Sequence, residues 1–441
     1  MHPTELDALY AFLAAAAITA ALTPLTMRFA RAVRAVDRPR ERGLSDRPVP
    51  LLGGLAIFAG TVVAALIWLP ASEAGGPNWH GVLLAAAVIT LVGAIDDRFD
   101  LHPVLKLAGQ ALAAVLVVHF GVVVKDISVP FVGLLQFPHQ GGVITVVGLV
   151  ALMNVVNFSD GVDGLAAGVS AIIAIALAVA AISLYYEGHH LHSLAPAVFA
   201  AIVAGGALGF LVHNFPPASS FMGDCGANLL GLLMGVLAVE ATVKTEVVIS
   251  FVLPLILLTV PFLDTTFVVL KRLKYRRPVY ESDNEHFHHR MARIGFSKRR
   301  TIAYLYAWTV MLAGLALALR FIPYSDHHGH FNTGWTLVMA GIGALVLAAS
   351  VYLVYLLEIL KFRRLDAIRL RRLRPMATEA EIERDVTEHL ETGEMSVVTL
   401  PAAEPEQRAR QSRFPRGADG TGETGAPAAT GKPPAPQRSG G

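Results

Sequence analysis

Residues 141–165 read Gly141-Gly-Val-Ile-Thr-Val-Val-Gly-Leu-Val-Ala-Leu-Met-Asn154-Val-Val-Asn157-Phe-Ser-Asp160-Gly-Val-Asp163-Gly-Leu165. The first part is an uncharged apolar run, of the kind that crosses a bilayer as a helix. The second part gathers Asn154, Asn157, Asp160 and Asp163 at a spacing of three, with a glycine after each aspartate. Such glycines let backbone turn and approach a ligand closely. A chain that ends an apolar span with two amides and two acids implies a membrane helix leading into a polar site. The plain structural reading, a capped helix–loop–helix, explains fewer of these residues.

The rest of the chain repeats the first half of that pattern. Its 441 residues are 54% hydrophobic and only 16% charged, and the mean hydropathy is +0.54. Soluble domains carry about 25% charged residues, so a soluble globular enzyme, a disordered chain and a collagen-like chain are excluded. Apolar runs separated by charge or by Gly/Pro clusters predict eleven spans, at about 6–25, 51–70, 80–95, 104–123, 141–157, 165–186, 194–213, 226–241, 247–270, 301–322 and 335–360. The fold class is therefore an all-α polytopic membrane protein. The first run lacks a basic region before it and a small-residue cleavage site after it, so it reads as a retained span. The stretch 125–138 is too short and too interrupted to span and reads as an outer loop or small hairpin.

Charge sets the orientation. Loops 26–50, 96–106, 158–164, 214–225 and 271–300 fall on one side by alternation. They carry 7, 2, 0, 0 and 10 Lys and Arg, and the tail start 361–374 adds 7. The opposite loops carry only Lys125 and Lys244, with Arg320 near a boundary. By the positive-inside rule the basic side is cytoplasmic, the N-terminus outside and the C-terminus inside. Residues 1–374 then form a transmembrane domain. Residues 375–441 form a cytoplasmic tail, which holds a short amphipathic helix near 379–390 and is otherwise rich in Pro, Gly, Ala and Arg, as in disordered segments.

The polar residues beside the spans collect on that same side. Asp96, Asp97 and Asp100 follow the third span; Asn154, Asn157, Asp160 and Asp163 close the fifth; Asp224 precedes the eighth. His286, His288, His289 and Arg290 lie in the loop 271–300. Acids at span ends are costly and mark function. Paired carboxylates and amide oxygens suit Mg²⁺, which takes one or two carboxylates and substrate phosphates. Basic residues around the histidines attract phosphate, although most of that basic run is explained by topology and anionic lipid. Asp224 by itself reads first as a helix cap. The set as a whole suits metal-assisted phosphoryl transfer to a lipid acceptor. Two outer histidine groups, His189, His190, His192 and His327, His328, His330, read as solvated loops, and the single cysteine, Cys225, reads as a packing residue.

Four motifs taken together resemble the polyprenyl-phosphate N-acetylhexosamine-1-phosphate transferase family. These are Asp96-Asp97 with Lys106, the Asn154 to Leu165 stretch, Met222-Gly-Asp224-Cys-Gly226, and His286-Phe-His288-His289. The single H-x-H-H form is similar to the WecA/TagO-like branch, related to MraY. The resemblance covers about residues 10–360. It implies transfer of a HexNAc 1-phosphate, foremost GlcNAc-1-phosphate, from a UDP-N-acetylhexosamine to a polyprenyl phosphate. UMP leaves, and the lipid-linked product initiates a cell-envelope glycan. It implies Mg²⁺ or Mn²⁺ held by Asp224 and Asn157. Asp96 would stand nearest the lipid phosphate, with Asp97, Lys106, His288 and His289 completing the catalytic set. Asn154, Asp160, Asp163, His286 and Arg290 would bind substrate. The stretch Arg47-Pro-Val-Pro-Leu-Leu-Gly53-Gly54 matches a further family motif, but Gly43 and Ser45 stand where members carry Lys and His, and Arg42 and Arg47 would supply the cation. Ala227 stands where serine is common. The resemblance also implies a homodimer, a plasma-membrane location with the site facing the cytoplasm, and no nucleic-acid partner. The alternatives are a transporter, which places charges near the midplane and shows inverted repeats, and a non-catalytic scaffold. For the reaction, direct in-line attack is expected over a covalent aspartyl intermediate.

Overall fold

A computed structural model describes residues 4–37, 48–72, 76–129, 133–187, 194–243, 298–322, 332–355, 378, 381–382 and 384–385. The first compact unit, Met1–Ile368, contains ten described helices. They are α1 (Glu5–Ala32), α2 (Gly54–Trp68), α3 (Trp79–Phe99), α4 (Pro103–His119), α5 (Gly141–Ser159), α6 (Leu165–Glu187), α7 (Ala195–Asn214), α8 (Gly223–Val243), α9 (Lys298–Phe321) and α10 (Thr333–Tyr355). Ten of the eleven expected spans coincide with these helices, and the remaining one, 247–270, lies outside the described residues. Eight are long and apolar enough to cross a membrane. The protein is an all-α polytopic membrane protein. The two shorter helices, α2 and α4, have 15 and 17 residues. At 1.5 Å per residue they reach about 22–26 Å, short of the roughly 30 Å hydrocarbon core.

Local chemistry sets the helix ends. Thr4 opens α1 with a reciprocal capping box: its backbone N–H donates to Asp7 Oδ2 at 2.6 Å, and the Asp7 N–H donates to Thr4 Oγ1 at 3.4 Å. Asn78 caps α3 by accepting from the Gly81 N–H at 3.0 Å. Pro103 begins α4, where its missing N–H costs nothing. Asp100 closes α3 in the left-handed region, φ 53°.

Helices α7 and α8 are the most deeply buried of the eight long apolar helices and α10 the least. Helix α1 approaches α7 so closely that a Cβ on Gly205 or Gly209 would collide with the carbonyl of Phe12 or Ala16. That is small-residue packing, the usual way for membrane helices to meet. Trp79 of α3 and Phe199 of α7 pack in the core with ring centroids 4.9 Å apart and planes tilted by 41°.

Two small ribbons complete the unit. β1 (Val36–Asp37) pairs antiparallel with β2 (Val49–Pro50), with Val36 opposite Pro50. β3 (Asp126–Val129) pairs antiparallel with β4 (Gly133–Gln136), with Asp126 opposite Gln136. The second ribbon is the hairpin expected for 125–138. The first was not expected. The second unit, Arg369–Gly441, is described only around Thr378, whose N–H and hydroxyl both donate to the Glu381 carboxylate at 2.9 Å.

Candidate active site

The polar residues meet where the C-terminal ends of α3 and α5 face the N-terminal ends of α4 and α8. Lys106, in the first turn of α4, is the hub. Its Nζ lies 2.6 Å from Asp224 Oδ2 and 3.0 Å from Asp96 Oδ2. Asn157 of α5 donates to the other oxygen of Asp224. The second oxygen of Asp96 accepts the Leu101 N–H at 2.8 Å, just past the end of α3. Asp96, Lys106, Asn157 and Asp224 come from four helices, and the Lys106–Asp224 link joins residues 118 positions apart. The side chains of Asp96, Lys106 and Asp224 are 6%, 21% and 27% exposed, so their attraction is only partly screened by water.

Asp97 occupies a different place from its neighbour. Its Oδ1 accepts the Asp224 N–H at 2.7 Å and its Oδ2 accepts the Cys225 N–H at 3.2 Å. These are orphan donors at the start of α8, so Asp97 acts as the cap of a helix distant in sequence. The contact is tight because Gly223, φ 67°, leaves no Cβ to strike the Asp97 carboxylate. One turn earlier on α3, Gly93 lies directly against the Cys225 backbone. Asp224 stands in the first turn of α8, and Asp97 performs the capping that Asp224 alone would suggest.

The other motifs form the walls. Gly53 and Gly54 donate to the carbonyls of Phe221 and Met222 at 3.0 Å, and the Phe221 N–H donates to Pro50 at 3.0 Å. A Cβ on Gly54 would run into the Gly226 backbone. The Pro-rich Gly-Gly stretch thus buttresses the loop that carries Asp224. Cys225 is fully buried, packed with Ala30, Ala35 and Leu52 as expected of a packing residue.

Asp160 caps the end of α5 through its N–H, 3.2 Å from the Asn157 carbonyl. Burial pushes its carboxyl well above the usual range, and the charges of Asp224, Asp97 and Asp163 push in the same direction. Asp163 accepts the Ala218 N–H at 3.2 Å, linking the loop after α5 to the loop before α8. Asn214, 1% exposed, secures the same two loops: its Oδ1 accepts the Gly164 N–H at 2.8 Å and its Nδ2 donates to the Ser220 carbonyl at 2.9 Å. Tyr306 donates to the Gly164 carbonyl, and Arg299 donates to Pro216 at 3.1 Å, both from α9.

Asn154 lies one turn back from Asn157 along α5, and its amide hydrogens go to Gln110 and to the Val150 carbonyl, both at 2.8 Å. Sequence reading did not find Gln110, Asn214, Asn228 or Tyr306. The available signal was an amide or phenol inside an apolar run. His286, His288, His289, Arg290, Arg42 and Arg47 lie outside the described residues, as do the two outer histidine groups.

Five carboxylates, Asp96, Asp97, Asp160, Asp163 and Asp224, therefore stand in one neighbourhood, and Lys106 pairs with two of them. Among the described residues, no three His, Cys, Asp or Glu side chains meet as a preformed metal cage. A hard divalent cation that keeps its waters and takes substrate phosphate oxygens needs fewer; the nearest oxygens are the Asp224 carboxylate, whose two oxygens accept from Asn157 and Lys106, and the Asn157 amide oxygen, which would have to turn toward the cation.

Comparison with known sequences agrees with the architecture. The profile of glycosyl transferase family 4 matches residues 79–242, from α3 to α8. A decaprenyl-phosphate N-acetylglucosaminephosphotransferase of Mycobacterium leprae is 35% identical over 368 residues, covering 78% of this chain and 89% of that protein. A probable undecaprenyl-phosphate N-acetylglucosaminyl 1-phosphate transferase of Bacillus subtilis is 33% identical over 305 residues, covering 68% and 81%. An undecaprenyl-phosphate alpha-N-acetylglucosaminyl 1-phosphate transferase of Salmonella typhi is 27% identical over 325 residues, covering 71% and 83%. Shared sequence on this scale, with the motif residues gathered at one end of the bundle, means that the chain belongs to glycosyl transferase family 4, among the polyprenyl-phosphate N-acetylhexosamine-1-phosphate transferases.

Proposed function

We propose that the protein transfers N-acetylglucosamine 1-phosphate from UDP-N-acetylglucosamine to a polyprenyl phosphate at the cytoplasmic face of the plasma membrane, using Mg²⁺. The observation that carries this reading is the meeting of Asp96, Lys106, Asn157 and Asp224 at the ends of four helices. The names of the relatives supply the substrate class. A transporter would hold its charges near the midplane, whereas here they sit at helix ends.

In the proposed reaction an oxygen of the lipid phosphate attacks the sugar-bearing phosphorus of the UDP-sugar. The bond from that phosphorus to the bridging oxygen breaks, and UMP leaves with the oxygen. A phosphate monoester has its second pKa near 6, so the nucleophile is largely dianionic at neutral pH and needs little help from a base. Asp96 then serves to orient the lipid phosphate and to take up its residual proton. Lys106 holds Asp96 and Asp224 at fixed distance and lends positive charge to incoming phosphates. Asp224 and Asn157 would hold the metal, which when bound supplies charge neutralisation for the diphosphate. Asp160 and Asp163 would serve the nucleotide-sugar side, and His286, His288, His289 and Arg290 would contact the diphosphate. The three histidines and Arg290 are proposed from the motif alone. The resemblance extends the proposal to a homodimer, which cross-linking in intact membranes tests.

Membranes containing the protein, supplied with polyprenyl phosphate and Mg²⁺, should convert UDP-GlcNAc to a lipid-linked product whose mass is that of polyprenyl diphosphate plus GlcNAc. UDP-GalNAc and UDP-MurNAc-pentapeptide should react poorly, and EDTA should stop the reaction. If none of the three donors yields a lipid-linked product, the reading fails.

A further inference from the structure

One helical turn deeper than the charged cluster lies a second polar layer, built by three of its four helices, α4, α5 and α8. Lys106 and Gln110 are four residues apart on α4, and Asp224 and Asn228 are four apart on α8. Asn157 and Asn154 are three apart on α5. These spacings put each pair on one helix face. Gln110 and Asn228 are each 1% exposed.

The hydrogen bonds form a directed chain. Asn154 Nδ2 donates to Gln110 Oε1 at 2.8 Å, Gln110 Nε2 donates to Asn228 Oδ1 at 2.8 Å, and Asn228 Nδ2 donates to the Asp224 carbonyl at 2.8 Å. Backbone carbonyls anchor both ends, since Asn154 also donates to Val150. Each amide can face only one way. Turning Gln110 over would set oxygen against oxygen and NH₂ against NH₂. Turning Asn228 over would set its oxygen against the Asp224 carbonyl.

We propose that Gln110, Asn154 and Asn228 are positioning residues: a neutral layer that locks α4, α5 and α8 in the register at which Lys106, Asn157 and Asp224 meet. Three observations support it. A sliding or rotation of any one of these helices breaks the amide chain, and a buried amide without a partner is costly in an apolar surround. The layer ends on the carbonyl of Asp224 itself, so it acts directly on the residue whose carboxylate faces Lys106. Asn154, which the motif alone would assign to substrate, has both amide hydrogens engaged within this layer.

The kinetic arm of the test rests on the transferase reading, and the labelling arm does not. Cys225 is the chain's single cysteine, is fully buried, and adjoins Asp224 at the head of α8. Its labelling by a maleimide in membrane vesicles requires local opening, and so reports how firmly that head is held. Interhelical polar hydrogen bonds in membranes are each worth about a 3- to 20-fold change in such an equilibrium. Gln110→Met should therefore speed Cys225 labelling at least about threefold. The milder Asn228→Ser keeps a hydroxyl able to reach the carbonyl four residues back but cannot reach Gln110, and it should do the same.

Both variants should lower kcat while leaving KM for UDP-GlcNAc within about twofold, and the double variant should be no worse than Gln110→Met alone, because the residues act as one unit. Unchanged labelling in both variants overturns the proposal, as does Asn154→Leu raising KM at constant kcat while Gln110→Met has no effect. A wild-type protein inactive toward every UDP-N-acetylhexosamine would refute the transferase reading, and the labelling result would still decide this proposal.

Discussion

Asp96 and Asp97 are adjacent in sequence, yet the geometry separates their duties, and substitution should separate them too. Asp97 accepts the Asp224 and Cys225 N–H groups at 2.7 and 3.2 Å. In Asp97→Asn the amide oxygen can retain the shorter bond, but the NH₂ group turns toward the Cys225 N–H. One donor is then left facing a donor, at a cost of about 1–3 kcal/mol. That corresponds to about a 5- to 150-fold rise in the opening of the α8 head, at about 1.4 kcal/mol per factor of ten. Asp97→Ala loses both bonds and should open it further. The assay is the maleimide labelling rate of Cys225 in membranes, read beside turnover. Asp97→Asn should label faster and retain measurable turnover. Asp96→Asn, which has no bond to the amides of α8, should lose turnover at a labelling rate close to wild type. Asp97→Asn that labels at the wild-type rate and is as inactive as Asp96→Asn would refute the assignment of Asp97 as a cap.

Three other outcomes follow from the same geometry. Asp224→Asn removes the carboxylate that faces both Lys106 and Asn157, and initial rates of lipid product formation should fall by at least about 10²–10³-fold with membrane insertion intact. Gly54→Ala drives a methyl group into the Gly226 backbone. It should lower stability by about 1–3 kcal/mol, measured as an earlier loss of the monodisperse peak on heating in detergent. Truncation after Pro375 removes a segment whose composition offers little apolar surface to pack, and the product yield per protein should stay within about twofold of the full chain.

The membrane architecture was legible in the sequence because hydropathy is a local property. Each apolar run states its own span, and the described helices fall where the runs do. The residues gathered around Lys106 were legible for another reason: Asp96, Asn157 and Asp224 sit at span ends, where an acid or amide has to be accounted for. Division of labour among them was not legible. Asp97 caps a helix 127 residues away, and nothing in its immediate neighbours distinguishes it from Asp96. Asn154 looks like Asn157 three residues later until Gln110 is brought beside it. Gln110 and Asn228 themselves lie inside apolar runs, and their link spans 118 residues. The Gly53-Gly54 pair stands in the sequence only as part of a motif, and its close backbone contact with the loop before α8 appears only in the fold. Function at this level depends on which helix ends become neighbours, and that information is held in packing between distant segments.

In the proposed reaction a sugar 1-phosphate, rather than a sugar alone, moves to the lipid. UDP-GlcNAc carrying ³²P only in the sugar-bearing phosphate tests it most directly, with polyprenyl phosphate and Mg²⁺ in membranes containing either the wild-type protein or Asp224→Asn. The label should pass into a lipid diphosphate, with unlabelled UMP released in equal amount, and Asp224→Asn should leave it in the donor. Label recovered as UDP, or the absence of any labelled lipid with the wild-type protein, would contradict the account.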